Sequence, residues 1–204
     1  MLNRISWQQQ TPKGIFYSLA QRPALELFEL KQVHGDQIID LRVSSVTSHA
    51  TGDGVIASYN TSIIPVIKTA DCLPLLLLGP QAFALLHAGW RALATPIMAN
   101  PLLQGLDIEE IYLGPSIGPT GFEVSREFRE NFPDSPNFVT NQGNLAFNLW
   151  NEALLQAQRY FPKARFVNSN ECTWSDKRYH SFRRDKTSQR NWNLFLPSNL
   201  GKLD

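Results

Sequence analysis

The chain has 204 residues, of which 43% are hydrophobic, so it can bury a core of its own and we expect a single domain. Its 19 basic and 18 acidic residues leave a formal net charge of +1, which argues against nucleic acid and anionic membranes as partners and favours a small molecule. No apolar run is long enough to cross a bilayer and the N-terminus lacks a signal-peptide core, so we expect a cytoplasmic protein whose two cysteines are thiols.

Several short apolar runs, rich in branched residues, predict buried strands. In chain order they are SIIPVIK (62–68), LPLLLL (73–78), AFALLH (82–87), EEIYLG (109–114) and the late run WNLFLP (192–197). Because these strands follow one another with few helices between them, the pattern predicts an α+β fold with mixed sheets. The glycine fingerprints of phosphate-binding loops and dinucleotide folds are absent from the sequence.

Two segments between the last strands predict helices. In 125–132, Ser125 is placed to cap the N-terminus, and Phe128 and Phe132 lie a turn apart on the inner face. The second helix spans 148–161 and is stopped by Pro162. Its apolar stripe consists of Leu149, Ala153, Leu154, Ala157 and Phe161.

The segment 69–94 contains one of the two cysteines and one of the four histidines, at opposite ends of an apolar hairpin. Gly79 and Pro80 fit a two-residue turn, in which Leu78 would face Gln81. In that register Cys72 lies opposite His87 on the same face, with β-carbons about 5 Å apart. A slip of one residue would send the two side chains to opposite faces.

A cysteine beside a histidine offers two chemistries. His87 could deprotonate Cys72 for nucleophilic attack, with Asp71 orienting the imidazole. Alternatively both bind a metal ion, and His34, which precedes a glycine turn in LKQVHGD, is the best third ligand. Two His and one Cys leave the fourth tetrahedral position free, as catalytic zinc sites do. A cysteine in a leucine-rich strand is also typical of simple packing, so the residues alone leave these alternatives open.

A resemblance adds to this interpretation. The segments KQVHG, GDGVIA, TADCLPLLL, HAGWRAL, GPSIGPTGFEV, CT and SFRRD stand in the order typical of the laccase-domain family, also called multicopper polyphenol oxidoreductase-like. The chain is thus similar to the bacterial purine nucleoside phosphorylase type of that family. The resemblance implies one domain over 1–204, a mixed sandwich with flanking helices, and zinc, with copper as the alternative, bound by His34, Cys72 and His87.

The resemblance also implies an activity. Family members phosphorolyse adenosine, inosine, guanosine and methylthioadenosine and deaminate adenosine; others are described as peptidoglycan editing factors acting on cell-wall precursors, or as polyphenol oxidases. Oxidation of phenols by oxygen needs further coppers, which four histidines cannot also supply, so we rank that activity low. We expect a purine nucleoside and phosphate as partners, and a monomer or weak homodimer.

The chain departs from the family pattern at several places. The segment before His34 is shortened, and 120–124 reads Thr-Gly-Phe-Glu-Val where the family has Cys-Cys-Tyr-Glu-Val. Ala92 replaces a glycine, and Pro96 interrupts the helix expected after His87, which would begin at Gly89. These changes weaken any mechanism that needs a second thiol or a tyrosine hydroxyl.

Further site residues follow from the proposed chemistry. Binding an anionic phosphate requires cationic groups, for which Arg91, Arg183 and Arg184 are the candidates, and adjacent arginines point opposite ways if extended, so only one of the last two would reach the site. Asp71 and Glu123 are the candidate acid–base groups.

The remaining candidates favour a structural role. Asp53 in TGDGV is interpreted as a turn residue, and His49 and His180 as surface or packing residues. Cys172 is placed near the site by the resemblance, although packing explains it equally well.

Overall fold

A computed structural model describes residues 5–43 and 47–203. The strands are β1 Ile5–Thr11, β2 Gly14–Leu19, β3 Leu27–Glu29, β4 Ile38–Asp40, β5 Gly54–Ser58, β6 Ile64–Thr69, β7 Leu73–Leu78, β8 Ala82–Ala88, β9 Glu110–Leu113, β10 Phe138–Asn141, β11 Asn144–Phe147, β12 Arg165–Asn168 and β13 Asn191–Pro197. They form a five-stranded sheet in the order β1-β2-β13-β6-β3 and a six-stranded sheet in the order β12-β9-β7-β8-β5-β4. Strands β10 and β11 make a separate hairpin.

The two large sheets pack face to face, as a mixed sandwich. Apolar side chains from both sheets, including Phe16 and Phe195 on one side and Leu76 and Leu85 on the other, form one buried cluster between them. The outer face of the six-stranded sheet is covered by the helices, in a second and larger cluster. Parallel pairs (β3 with β6, β4 with β5, β9 with β12) stand beside antiparallel ones, so the predicted α+β class with mixed sheets is confirmed.

The predicted strands are all present. The runs at 73–78 and 82–87 become β7 and β8, and the runs at 62–68 and 109–114 become β6 and β9. The late run is the central strand of the five-stranded sheet, since β13 pairs with β2 on one side and β6 on the other.

The helices are few and short: α1 Trp90–Ala94, α2 Pro101–Gln104, α3 Leu149–Tyr160 and α4 Phe182–Asp185, with 3-10 turns at Ile97–Ala99, Glu127–Asn131 and Ser198–Leu200. Helix α3 agrees with its prediction, because Asn148 caps its first turn and it ends just before Pro162. Pro96 breaks the helix after His87, as expected. No helix in the described ranges is long and apolar enough to cross a membrane.

The α-helix predicted at 125–132 is wrong in type and length. The segment forms a five-residue 3-10 helix, and Ser125 accepts a bond from Phe128 N with its carbonyl but does not cap the turn with its side chain. Pro133 follows directly and disfavours the helical conformation at Phe132, which adopts φ −144°. The phenylalanines pack inward all the same, because the Phe132 ring stacks on Phe147 with centroids 4.5 Å apart.

The predicted hairpin register is wrong by two residues. Gly79 N donates to Ala82 O at 3.0 Å, so the turn is centred on Pro80 and Gln81 rather than on Gly79 and Pro80, and Leu78 pairs with Phe83. His87 therefore lies opposite Pro74 rather than Cys72. Because a shift of two residues preserves the face of a strand, Cys72 and His87 still point to the same side.

Candidate metal centre

The site lies where the space between the two sheets opens at one end of the sandwich. Along β8, Leu85 belongs to the buried cluster between the sheets, and His87, two residues on, points the same way. On β5 the corresponding residue is Val55, and Asp53 lies two residues earlier, directly before the strand begins. The alternation of each strand thus carries a polar side chain to the mouth of the inter-sheet core.

Three candidate ligands meet at this end. One nitrogen each from His34 and His87 and the sulfur of Cys72 lie within 4.8 Å of one another. The two imidazole rings meet edge to face, with centroids 4.7 Å apart. His87 is 2% exposed, whereas His34 reaches in from the exposed loop between β3 and β4. The structure therefore brings together the predicted tripod.

Asp53 holds two of these ligands in place. Its carboxylate is fully buried, and Oδ1 accepts from His87 Nδ1 at 2.8 Å and from His34 N at 2.8 Å. Oδ2 accepts from the backbone N–H groups of Val33 and Gly35, at 3.1 and 2.8 Å. This turn holds His34 at φ +63°, a conformation unusual for histidine. With Nδ1 protonated toward Asp53, Nε2 of His87 is the nitrogen left for a metal.

The sequence analysis interpreted Asp53 as a turn residue and gave the orienting role to Asp71. That assignment of Asp71 is wrong, because the carboxylate that contacts His87 is Asp53. Asp71, at φ +94°, instead accepts from Thr173 Oγ1 at 2.8 Å and from Arg183 N at 2.6 Å. It ties the Cys72 loop to the start of α4. One signal in the sequence could have identified Asp53: side chains alternate between the faces of a strand, so Asp53 shares a face with Val55, two residues later.

The thiol and the buried imidazole perturb each other. Burial raises the pKa of Cys72, but the charge of His87 and hydrogen bonds from His34 and His87 outweigh burial and lower the pKa to about 6. Burial lowers the pKa of His87, yet the charge of Cys72 and the hydrogen bond to Asp53 raise it to about 9. Both shifts favour the ion pair of thiolate and imidazolium over the neutral pair, and a metal cation would displace the protons of these groups.

The donor set fits one metal ion. Zinc bonds of about 2.0 to 2.3 Å at tetrahedral angles place ligand atoms roughly 3.5 Å apart, which lies inside the observed limit. Imidazole and thiolate donors suit zinc and also copper. Within residues 5–43 and 47–203, this tripod is the only group of three such side chains placed to share an ion, so the arrangement fits a single metal and not a multi-copper cluster.

The tripod opens into a cleft of about 1070 Å³ between the loops of both sheets. Aromatic side chains line it at Trp90, Phe122, Phe182 and Trp192. Arg91 also lines it and stacks on Trp90, with its guanidinium carbon 4.3 Å from the ring centroid. Phe182 is 52% exposed, so an apolar surface stands open beside the tripod. Such a cleft can take a flat ring system.

The paired arginines take different roles. Arg183 lines the cleft, 5.3 Å from the Phe122 ring centroid, and its Nη1 donates to Glu123 O at 2.8 Å. Arg184 lies outside the cleft lining, because its guanidinium donates to the carbonyls of Thr173 (2.7 Å) and Tyr179 (2.8 Å). The expectation that one of the two reaches the site agrees with this geometry. The prediction that Arg184 binds substrate does not agree with it, since the guanidinium of Arg184 donates its hydrogen bonds to backbone carbonyls.

Glu123 is also displaced from its expected role. Its carboxylate is exposed and accepts from Asn144 Nδ2 at 3.1 Å, outside the cleft lining. Phe122 fills the cleft wall in its place because side chains alternate along this extended segment, which bridges to Ala146. Glu123 therefore contributes its backbone carbonyl, through Arg183, and not its side chain.

The remaining cysteine and histidines lie outside the cleft lining. Cys172 Sγ accepts from Gly118 N at 3.1 Å, as expected for packing. His180 Nε2 donates to Ala20 O at 2.8 Å, and His49 N donates to Glu29 O.

Comparison with known proteins connects this site to a family. A family profile described as multi-copper polyphenol oxidoreductase laccase matches residues 14–196. A protein of Aquifex aeolicus named purine nucleoside phosphorylase is 34% identical over 163 residues, which cover 78% of this chain and 77% of that protein. Purine nucleoside phosphorylase YfiH of Shigella flexneri is 30% identical over 79% of this chain and 70% of its own.

Two further similarities concern activity and fold. A protein named adenosine deaminase RL5, from an unknown prokaryotic organism, is 31% identical over 54% of this chain and 48% of its own. The crystal structure of NMB0706 from Neisseria meningitidis superimposes with a TM-score of 0.74 at 25% identity, covering 85% of this chain and 75% of that one. The sandwich is therefore shared with a solved structure over most of both chains.

Proposed function

Because the chain belongs to the multi-copper polyphenol oxidoreductase laccase family, we propose that it is a metal-dependent purine nucleoside phosphorylase that also deaminates adenosine. The observation that carries the proposal is the meeting of His34, Cys72 and His87 at the floor of a cleft with cationic and aromatic walls. Adenosine, inosine, guanosine and methylthioadenosine are the proposed substrates.

The walls of the cleft supply what phosphorolysis requires. A phosphate oxygen must approach the anomeric carbon of the ribose while the bond from that carbon to the purine breaks. Arg91 and Arg183 flank the tripod on α1 and α4 and present guanidinium groups that can hold phosphate by paired hydrogen bonds. The rings of Trp90, Phe122 and Phe182 can stack on the purine.

The tripod would hold the metal, for which we propose zinc with copper as the alternative. A zinc ion held there would supply a Lewis acid to the cleft. Asp53 orients His87 and His34 toward it, and Asp71 holds α4 so that Arg183 stays on the cleft wall. These two carboxylates position other groups and do not themselves contact the substrate.

Deamination is favoured as a second activity by the similarity to adenosine deaminase RL5. It replaces the 6-amino group of adenine by an oxygen from water and releases ammonia. The same aromatic walls would hold the ring. Phosphate is not needed for this reaction, which makes the two activities separable.

The experiment incubates the metal-loaded protein with adenosine, with and without phosphate. Adenine and ribose 1-phosphate formed only with phosphate indicate phosphorolysis, and inosine with ammonia indicates deamination. If neither set of products forms while cell-wall precursors are altered, peptidoglycan editing replaces the proposal. Oxygen uptake with phenols, at a full complement of copper, would favour the polyphenol oxidase.

A further inference from the structure

The cleft carries more positive charge than one phosphate requires. Besides Arg91 and Arg183, four cationic residues line it, two of which lie against the Trp192 ring: Arg22, Lys31, Lys68 and Arg190. We call these four the Trp192 group. Nothing in the proposed reaction of a neutral nucleoside uses them. In the described part of the chain, Asp71 is the only residue with a carboxylate among those that line the cleft.

The Trp192 group is anchored to two strands, β6, which carries Lys68, and β13, which carries Trp192. Trp192 of β13 pairs with Lys68 of β6, and its ring lies 5.5 Å from Lys68 Nζ and 5.8 Å from the Arg22 guanidinium carbon. Gln32 exchanges two hydrogen bonds of 2.8 Å with the Lys68 backbone, which fixes the neighbouring Lys31 to the same edge. The backbone positions of Lys31 and Lys68 are therefore fixed relative to Trp192.

Only part of this charge is neutralised by the protein. Glu29 binds Lys68 Nζ at 2.9 Å and Arg22 Nε at 3.3 Å, so it offsets one of the four positive charges and three remain. Lys31 and Arg190 have no carboxylate partner within the described residues. In a chain whose net charge is +1, this concentration of positive charge in the cleft selects for anions.

We propose that the Trp192 group binds a phosphate ester of the substrate, and that the preferred substrate class is a purine nucleoside 5′-phosphate. The proposal rests on the proposed function, because Arg91 and Arg183 are taken to hold the attacking phosphate. The 5′-oxygen of ribose is exocyclic and points away from the bond that breaks, so an ester there can occupy a second subsite. A cleft of about 1070 Å³ has room for the larger ligand.

The experiment is titration calorimetry on the zinc-loaded protein with adenosine, adenosine 5′-monophosphate and inorganic phosphate. The monophosphate should bind at least about tenfold more tightly than adenosine. The double variant Lys31→Gln, Arg190→Gln should lose that preference while its affinity for adenosine stays within about twofold. A matched double variant at exposed positions outside the cleft, Lys163→Gln, Lys202→Gln, should keep it.

Arg190→Gln also affects the 187–190 loop, because Arg190 Nη1 donates to the carbonyls of Thr187 and Gln189. A second variant therefore leaves Arg190 in place. Lys31→Gln alone changes an exposed side chain and should lose part of the preference. Equal affinities for adenosine and its monophosphate in the unaltered protein would overturn the proposal. So would an equal loss of affinity for inorganic phosphate in the double variant, which would assign the group to the attacking phosphate.

The comparison is repeated with inosine and inosine 5′-monophosphate, which have no 6-amino group to lose and are not phosphorolysed without phosphate, so these binding readouts do not depend on turnover. A preference for the monophosphate without conversion of any purine keeps the subsite and removes the proposed activity. Phosphorolysis of adenosine without a preference for the monophosphate keeps the proposed activity and removes the subsite.

Discussion

Asp53 Oδ1 accepts one hydrogen bond from His87 Nδ1 and another from the His34 backbone, both at 2.8 Å. A single buried oxygen thus orients the ring of one candidate ligand and fixes the turn that carries the other. Because a carboxylate only accepts hydrogen bonds, it matches the N–H donors that converge on it. Metal ligands held in this way meet their ion with little rearrangement.

Replacing Asp53 by Asn should therefore weaken metal binding. The amide presents N–H donors to a site that already supplies only donors, so metal affinity should fall about 10- to 100-fold. The free energy of unfolding should fall by roughly 1 to 3 kcal/mol, since a buried donor loses its acceptor. Chelator competition and denaturant titration measure the two effects. Asp36→Asn, an exposed change two residues from His34, is the control, and equal affinity in both variants would contradict the role of Asp53.

The two cysteines form a matched pair of substitutions. Cys72→Ala should abolish metal retention and turnover together, because a tripod reduced to two imidazoles holds zinc poorly. Cys172→Ala should keep both and lose about 1 kcal/mol of stability, as its sulfur only accepts from Gly118 N. Metal analysis of each purified variant decides the matter. Full metal occupancy in Cys72→Ala would contradict the tripod. If the parent protein contains no metal and the Cys72→Ala variant nevertheless loses turnover, the Cys72–His87 dyad is favoured.

Alkylation of Cys72 in metal-free protein should depend on pH as a low-pKa thiol does. With its pKa lowered from 9.0 to about 6, the thiol ionises as pH rises through 6 and is a thiolate at pH 7. The rate with iodoacetamide should therefore rise between pH 5 and 7 and level off above, and added zinc should protect the sulfur. Rates are measured in Cys172→Ala, where a single cysteine remains. A rate that keeps rising to pH 9 would show an ordinary thiol.

Much of this site was predictable because strand alternation is robust. The face shared by Cys72 and His87 survived an error of two residues in the hairpin, since such a shift returns each side chain to its own side. The position of the turn was not predictable, because it depends on the bond from Gly79 N to Ala82 O.

The errors at Asp71, Glu123 and Arg184 have another origin. Each of these residues was assigned from its chemistry, but its polar atoms satisfy nearby groups of the fold. The role of Asp53 was missed because its partners are distant in the sequence. The backbone N–H groups that it accepts from belong to a segment about twenty residues earlier. Such long-range partners are not visible in the order of the chain.

The adjacent arginines should separate phosphate binding from stability. Arg183→Gln removes a guanidinium from the cleft wall, so the KM for phosphate should rise about tenfold. Arg184→Gln instead leaves the carbonyls of Thr173 and Tyr179 short of donors, and the free energy of unfolding should fall by about 2 kcal/mol. Steady-state kinetics and denaturant titration on both variants test the contrast. The opposite assignment of the two effects would show that Arg184 contacts the substrate.

Gly89→Ala tests how closely the tripod is fitted to the start of α1. Gly89 has φ −69°, which alanine tolerates, but the new β-carbon would lie 3.0 Å from Cys72 Sγ and 3.5 Å from His34 Cδ2. The sulfur must give way by a few tenths of an ångström, comparable to the tolerance of about 0.2 Å in metal–ligand distances, so metal affinity should fall about tenfold. Unfolding of the metal-free protein should change by less than about 1 kcal/mol. Gly105→Ala, where the added carbon meets open space, is the control. If chelator competition finds both variants equal to the parent, the ion does not sit between Cys72 and His34.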